Sequence, residues 1–288
     1  MVKAYDWMVK CTPQTEWIEH KGILLWLAFF FIELGAGAYF VGSFFNSLLA
    51  KGIGWLVCGL LGGGLHFLYL GRPFRFYRMV VRPQTSWISR GMIFVSLFLL
   101  LGFINIVLGF FSITSSILSV LTIVLSFLVV IYGGFAMCCI NGIPLWNTAL
   151  LPIIYVVSGL WGGAGITLGV AVAKGSAQML TGVGEWVHLL LISFILLLFT
   201  YLISINYGTI AAKTSISEII KGKGWYIFWI VVVIIGIGIP VIAMMTGSRS
   251  TPAAILYLTL LCELLGDLGM RYLILKYGFY NPLIPKTT

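Results

Sequence analysis

The chemistry open to this sequence rests on a small set of ionisable side chains placed where water is scarce. Glu263, Asp267 and Arg271 recur every fourth residue, so on a helix they stack along one face. Such a row is either a structural ion pair between Asp267 and Arg271 or a proton-handling row beside a redox site. Glu33 lies in an apolar run with no basic residue within one turn, and a carboxylate there needs a partner from another helix. Glu185 is the fourth acid inside an apolar run, whereas Asp6, Glu16, Glu19 and Glu218 fall in polar segments. Three histidines, His20, His66 and His188, raise the question of haem. His66 and His188 fall near opposite ends of their runs and differ in depth by about 20 Å at helical rise. No pair can sandwich one iron, so a b-type haem is not expected. Tyr132, followed by Gly133 and Gly134, puts a phenol at depth with room beside it. On chemistry alone that hydroxyl satisfies either a neighbouring helix or a ligand, and the helix contact is the commoner use. The five cysteines show no CxxC or other ligand spacing and four lie in apolar segments, so they read as packing residues and the chain is expected to carry no metal or iron-sulfur cluster.

The elements that must position these groups follow from composition. With 60% hydrophobic and 9% charged residues, the chain is far from the roughly 25% charge of a soluble domain. It reads as an integral membrane protein. A net charge of +9 does not indicate nucleic-acid binding, because the basic residues lie between apolar runs and not on one interleaved face. A ruler of about 20 apolar residues places eight spans at 22–48, 52–70, 88–111, 115–140, 147–173, 184–206, 225–246 and 253–276. The N-terminal segment 1–21 is mixed and amphipathic and lacks the apolar core and cleavage site of a signal peptide, so the first span is expected to be retained. An all-α membrane domain then covers 22–277, with a short tail at 278–288. GAGAYFVG in the first span and GAGITLGV in the fifth share small residues that let helices approach closely in lipid, or else reflect a duplication.

Eight spans put both termini on one side. That side carries fourteen Lys and Arg against three, Lys51, Lys174 and Arg249, on the other. The bias predicts cytoplasmic termini in a multi-pass cell-membrane protein. Five of the fourteen, Arg72, Arg75, Arg78, Arg82 and Arg90, crowd into LGRPFRFYRMVVRPQTSWISRG, which has no acid. It is first a topology signal, and second a basic face suited to an acidic partner.

Taken together, that arginine segment, IYGGF with IPLWNTALLPIIYVVSGLWGGAGI, and the closing RYLILKYGFYNPL resemble the NrfD/PsrC family, the membrane subunit of polysulfide-reductase-type complexes. The resemblance covers all eight spans. It implies an eight-helix bundle without metal that exchanges electrons with a quinone, menaquinone or ubiquinone. The partners it implies are a ferredoxin-like subunit with [4Fe-4S] clusters and, usually, a molybdopterin-containing catalytic subunit. It also implies that Tyr132 hydrogen-bonds the quinone head group, reversing the reading from chemistry alone. The sequence departs from the family pattern where an asparagine and a histidine are expected early in the first span: Leu24 and Ala28 stand there, and His20 is the nearest substitute. Tyr69 replaces the acid many relatives place before LGRP, with His66 one turn earlier.

The expected quinone site is therefore Tyr132, His66, His20, Asp267 and Arg271, with Glu33, Glu263, Glu185 and His188 handling protons and the five arginines docking the iron-sulfur partner. Of these, Tyr132, His66, Asp267 and Arg271 lie in the half of the membrane nearest the arginine segment. Several family complexes carry their catalytic subunits outside the cytoplasm, which stands against the charge bias. A secondary transporter using Glu33, Glu263 and Asp267 is the alternative, favoured if Gly236, Gly238 and Pro240 make a span discontinuous. A passive anchor is a third reading.

Overall fold

A computed structural model describes residues 6–246 and 252–284. Lys3, Arg249 and Lys286, counted above in the charge bias, lie outside the described residues. Among the described residues, eight helices are long and apolar enough to cross a membrane: α1 Gly22–Phe44, α2 Leu48–Tyr69, α3 Trp87–Phe110, α4 Ser116–Cys138, α5 Leu150–Lys174, α6 Ala177–Asn206, α7 Ile227–Thr246 and α8 Ala253–Lys276. The chain is a multi-pass helical membrane protein.

Local chemistry sets the boundaries. Ser47, Ser86 and Ser115 accept hydrogen bonds from Ala50, Ser89 and Leu118 and cap α2, α3 and α4, satisfying N–H groups a helix start leaves free. Gly175 ends α5 at φ 63°, the left-handed conformation glycine adopts without strain. The turn from α1 to α2 is tight because Asn46 takes φ 49°, a conformation its short polar side chain tolerates.

Several boundaries differ from the hydropathy reading: α1 ends at Phe44, not 48, and α2 starts at Leu48, not 52, where Ser47 caps it. Helix α6 begins at Ala177, not 184, and Thr181 in its opening segment satisfies its hydroxyl on the Ala177 carbonyl. The segment between the sixth and seventh expected spans, 207–224, contains a helix, Ile210–Ile220, capped by Thr209. Its Ala211, Ala212, Ser215, Ile216 and Ile219 are buried at helical spacing, and at 11 residues it is too short to span.

Helices α1 and α5 form the centre, with 67% and 61% of their apolar windows buried against 22% for α2, α3 and α7. They touch backbone to backbone: a Cβ on Gly37 would collide with Gly159, and one on Gly163 with Gly37. The small residues shared by GAGAYFVG and GAGITLGV thus serve close approach. The outer helices turn large apolar side chains outward, among them Leu60, Phe110 and Ile117.

The termini meet on one face. Thr12–Pro13 pairs antiparallel with Phe279–Tyr280, and the Gln14 amide donates to the Leu275 carbonyl. Lys276 Nζ lies 2.6 Å from Glu19 Oε1 and holds the Glu19 carboxyl below its ordinary range. Asn281 N–H donates to the Gly142 carbonyl and Thr209 Oγ1 to Asn281 Oδ1, so the tail also ties down the loops after α4 and α6.

Replacing Gly163 with Leu is expected to destabilise the fold by on the order of 3 kcal/mol through overpacking against backbone. Thermal unfolding of the detergent-solubilised protein checks this, with Gly52→Ala, which meets nothing, as the neutral control.

Candidate functional site

Tyr132 sits on α4 with its ring laid over Gly91 of α3, where no Cβ could fit. Phe29 of α1 lies between the two polar side chains of the site, its ring centroid 5.8 Å from Tyr132 and 5.3 Å edge-on from His66 of α2. Four helices thus converge on a cavity of about 190 Å³ whose lining includes Tyr132, His66, Gly91, Met92, Phe67 and Phe76. It is smaller than the roughly 300–1,000 Å³ of sites that enclose a whole drug-sized ligand, and suits a single ring. Phe67 and Ile88 at its edge are exposed toward the lipid, where an isoprenoid chain could leave.

His66 is positioned by a change in helix winding. The Val57–Gly63 stretch of α2 is π-helical, a form that recurs at functional sites, and the Gly62 carbonyl lies 3.3 Å from His66 Nδ1. A proton on Nδ1 satisfies that carbonyl and leaves Nε2 as an acceptor. That Nε2 is buried and has no partner among the described residues.

Behind the tyrosine lies a charge cluster that sequence spacing shows only in part. Arg271 Nε donates to both Asp267 carboxylate oxygens at 3.0 and 3.1 Å, the expected ion pair within α8. Its Nη1 donates to Glu33 Oε2 of α1 at 2.6 Å and its Nη2 to Ser158 Oγ of α5 at 2.6 Å. The guanidinium also lies 4.4 Å from the Tyr155 ring centroid. Two carboxyls share one cation, so the cluster is neutral only when one of them holds a proton. Glu33 Oε1 is buried without a hydrogen-bond partner, against Gly133, the neighbour of Tyr132, where a Cβ would displace it.

The sequence reading grouped these residues differently. Asp267 and Arg271 were expected to touch quinone, but they belong to the cluster and do not line the Tyr132 cavity. His20 does not line it either; it is exposed at φ 50° at the start of α1. Glu263 shares a helix face with Asp267 in spacing but not in environment. It sits beside the Trp161 indole and lines a second cavity of about 30 Å³ with His188 and Thr259, room for a water by volume. Glu185 is exposed one turn before His188. Ser158, Tyr155 and Phe29 were not singled out from sequence. Being uncharged in apolar helices, they carry no local signal, and only the fold brings them to the site. Gly236, Gly238 and Pro240 do not interrupt α7, which winds as a π-helix over Ile227–Gly238 and continues to Thr246.

The arginines divide into two groups. Arg90 is occupied within its own loop, donating to the Pro83 and Gln84 carbonyls and lying 4.8 Å over the Trp87 ring, which stacks on Phe135. It fixes the entry to α3 with two of its five donors, so part of its hydrogen-bonding capacity is spent within the loop. Arg72, Arg75, Arg78 and Arg82 are exposed, with no acidic partner among the described residues. The first three lie along the 3₁₀ helix Pro73–Val80 and its N-cap. At three residues per turn this helix sorts Arg72, Arg75 and Arg78 into one row and Phe76 and Met79 into another, and the second row closes the Tyr132 cavity.

The class defined by this fold is an eight-span helical membrane protein with a ring-sized cavity and a buried charge cluster. Residues 17–282 match the family described as polysulphide reductase, NrfD, and the chain belongs to that family. It is 24% identical over 153 residues to the "Protein NrfD homolog" of Haemophilus influenzae, covering 51% of this chain and 48% of that protein. The chain thus matches about half the length of that curated relative.

Replacing Arg271 with Leu is expected to destabilise the protein by roughly 3–5 kcal/mol, since Glu33 and Asp267 would be left buried without a cation. Adding Glu33→Gln and Asp267→Asn should restore much of that loss, as measured by thermal unfolding and by the yield of folded protein.

Proposed function

We propose that this chain is the quinone-interacting membrane subunit of a respiratory oxidoreductase complex, with the site at Tyr132. The observation that supports it most is the ring-sized cavity lined by both Tyr132 and His66, whose Nε2 is buried without a hydrogen-bond partner among the described residues. A menaquinone or ubiquinone would supply two-electron, two-proton chemistry there. The chain's own part is to bind and orient. Tyr132 offers its O–H to a carbonyl oxygen, His66 accepts a proton or hydrogen bond at Nε2, and Phe29 packs against both rings to hold them in place. Met79 and Phe76 exclude water from above. Glu33, with one oxygen free beside Gly133, is the nearest buried carboxyl able to hold a proton for the site.

In this reading the partner is a ferredoxin-like iron-sulfur subunit docked on the face that carries Arg72 and Arg75, wired in turn to a molybdopterin-containing catalytic subunit. Docking there would bring a cluster to the side of the membrane on which the cavity opens. The charge bias supports a cytoplasmic position for that face, and a reporter fused to the C-terminus that is active only outside the cytoplasm would overturn it.

A second reading, proton conduction, is favoured by the separate cavity that brings Glu263, His188 and Thr259 together on the far side of the cluster from Tyr132. The two readings part in one experiment. On quinone chemistry, Tyr132→Phe should lower quinone-linked turnover of the assembled complex by about ten- to a hundredfold while subunit assembly persists. Unchanged turnover, with proton flux into proteoliposomes abolished by Glu263→Gln, would favour the second.

A further inference from the structure

A surface pocket of about 460 Å³ lies between the end of the 3₁₀ helix and the start of α3, and it is distinct from the Tyr132 cavity. Its polar lining is Arg78, Arg82, Ser86 and Ser89, and its apolar wall includes Met79 and Ile88. We propose that this pocket binds the phosphate of an anionic phospholipid, with Arg78 and Arg82 as the charge partners.

Four observations converge on that ligand. Both arginines are exposed and without an acidic partner among the described residues, and residues 70–91 contain no acid to neutralise them internally. Guanidinium groups pair with phosphate oxygens in a planar, two-pronged geometry that an ammonium cannot match. The site lies at the membrane boundary, between the last residue of α2 at Tyr69 and the first of α3 at Trp87. Basic pockets between spans at that level suit lipid head groups. Lastly, the rim is apolar and open: Val81 is 65% exposed and Ile88 42%. Such side chains suit acyl chains and are wasted on a soluble ion, which favours a lipid over free phosphate.

The position gives the lipid a consequence. Met79 and Ile88 line both this pocket and the Tyr132 cavity, so two side chains form the wall between them. A phosphate held by Arg78 and Arg82 would pin the 3₁₀ helix over the cavity mouth. The binding itself does not depend on the quinone reading and can be measured without turnover.

The test uses the full-length protein in nanodiscs and native mass spectrometry of the detergent-purified form, with phosphatidylglycerol against phosphatidylcholine as probes. Wild type should retain phosphatidylglycerol at least about tenfold more tightly than phosphatidylcholine. Arg78→Gln with Arg82→Gln should abolish that preference, with thermal stability in phosphatidylcholine unchanged because both side chains are exposed. Arg72→Gln with Arg75→Gln, on the same helix but outside the pocket, should change it by about twofold or less. An equal loss from both double variants would mean diffuse surface charge and would overturn the site. Equal retention of both lipids, or inorganic phosphate displacing phosphatidylglycerol at millimolar concentration, would overturn the lipid assignment. So would protection of Arg78 and Arg82 from chemical modification by a purified iron-sulfur partner but not by lipid.

Discussion

The contact between α1 and α5, where Gly37 meets Gly159 and Gly163 with no side chain between them, fixes where the other six spans can sit. In lipid, helices gain nothing from burying apolar surface against each other that the acyl chains do not already supply. Close packing and polar contacts must do the work instead. A glycine seam lets two backbones come near enough for dispersion contacts to accumulate, and it places Glu33 and Ser158 on facing helices within reach of one guanidinium. The cavity at Tyr132 depends on the same seam, because Phe29 is presented from α1 one turn before Glu33.

Polar groups are used sparingly and almost always in company. Asn105 of α3 donates to both Tyr39 of α1 and Thr122 of α4, each at 2.9 Å, tying three helices in the half of the bundle away from the termini. Trp146 and Tyr201 reach carbonyls at the end where the chain termini meet. Against this background of satisfied groups, three buried atoms without partners among the described residues stand out: Glu33 Oε1, His66 Nε2 and the Trp161 indole nitrogen. The first belongs to the charge cluster, the second to a residue lining the Tyr132 cavity, and the third lies beside Glu263. An unsatisfied buried polar atom costs on the order of 1–3 kcal/mol, and a fold that satisfies its other groups so consistently has reason to leave these open.

The eight spans were legible in the sequence because hydrophobic length is a local property, although the boundary at the Ser47 cap fell inside the apolar run and was placed four residues too late. The Asp267–Arg271 pair was legible for the same reason, being four residues apart on one helix. Glu33 was recognisable as needing a partner, but nothing local named Arg271, which lies 238 residues later. The convergence of Phe29, His66, Gly91 and Tyr132 from four helices was equally hidden, since packing order is not written in any one segment. The separation of Glu263 from Asp267 had no local signal either: both point along one face, and only the neighbours α5 and α6 differ. The helix Ile210–Ile220 was missed because its polar face and shortness defeat a ruler built for spanning segments.

The 238-residue separation between Glu33 and Arg271 also constrains how the protein can be made. At translation rates of about 5–20 residues per second, roughly 12–48 s pass between synthesis of the carboxyl and synthesis of the guanidinium that will meet it. The first span must therefore leave the translocon with its acid either neutralised by a proton or sheltered by the insertion machinery. The last span then acts as a latch, and a ribosome that stalls before it releases a bundle whose central helix still carries an unmet acid.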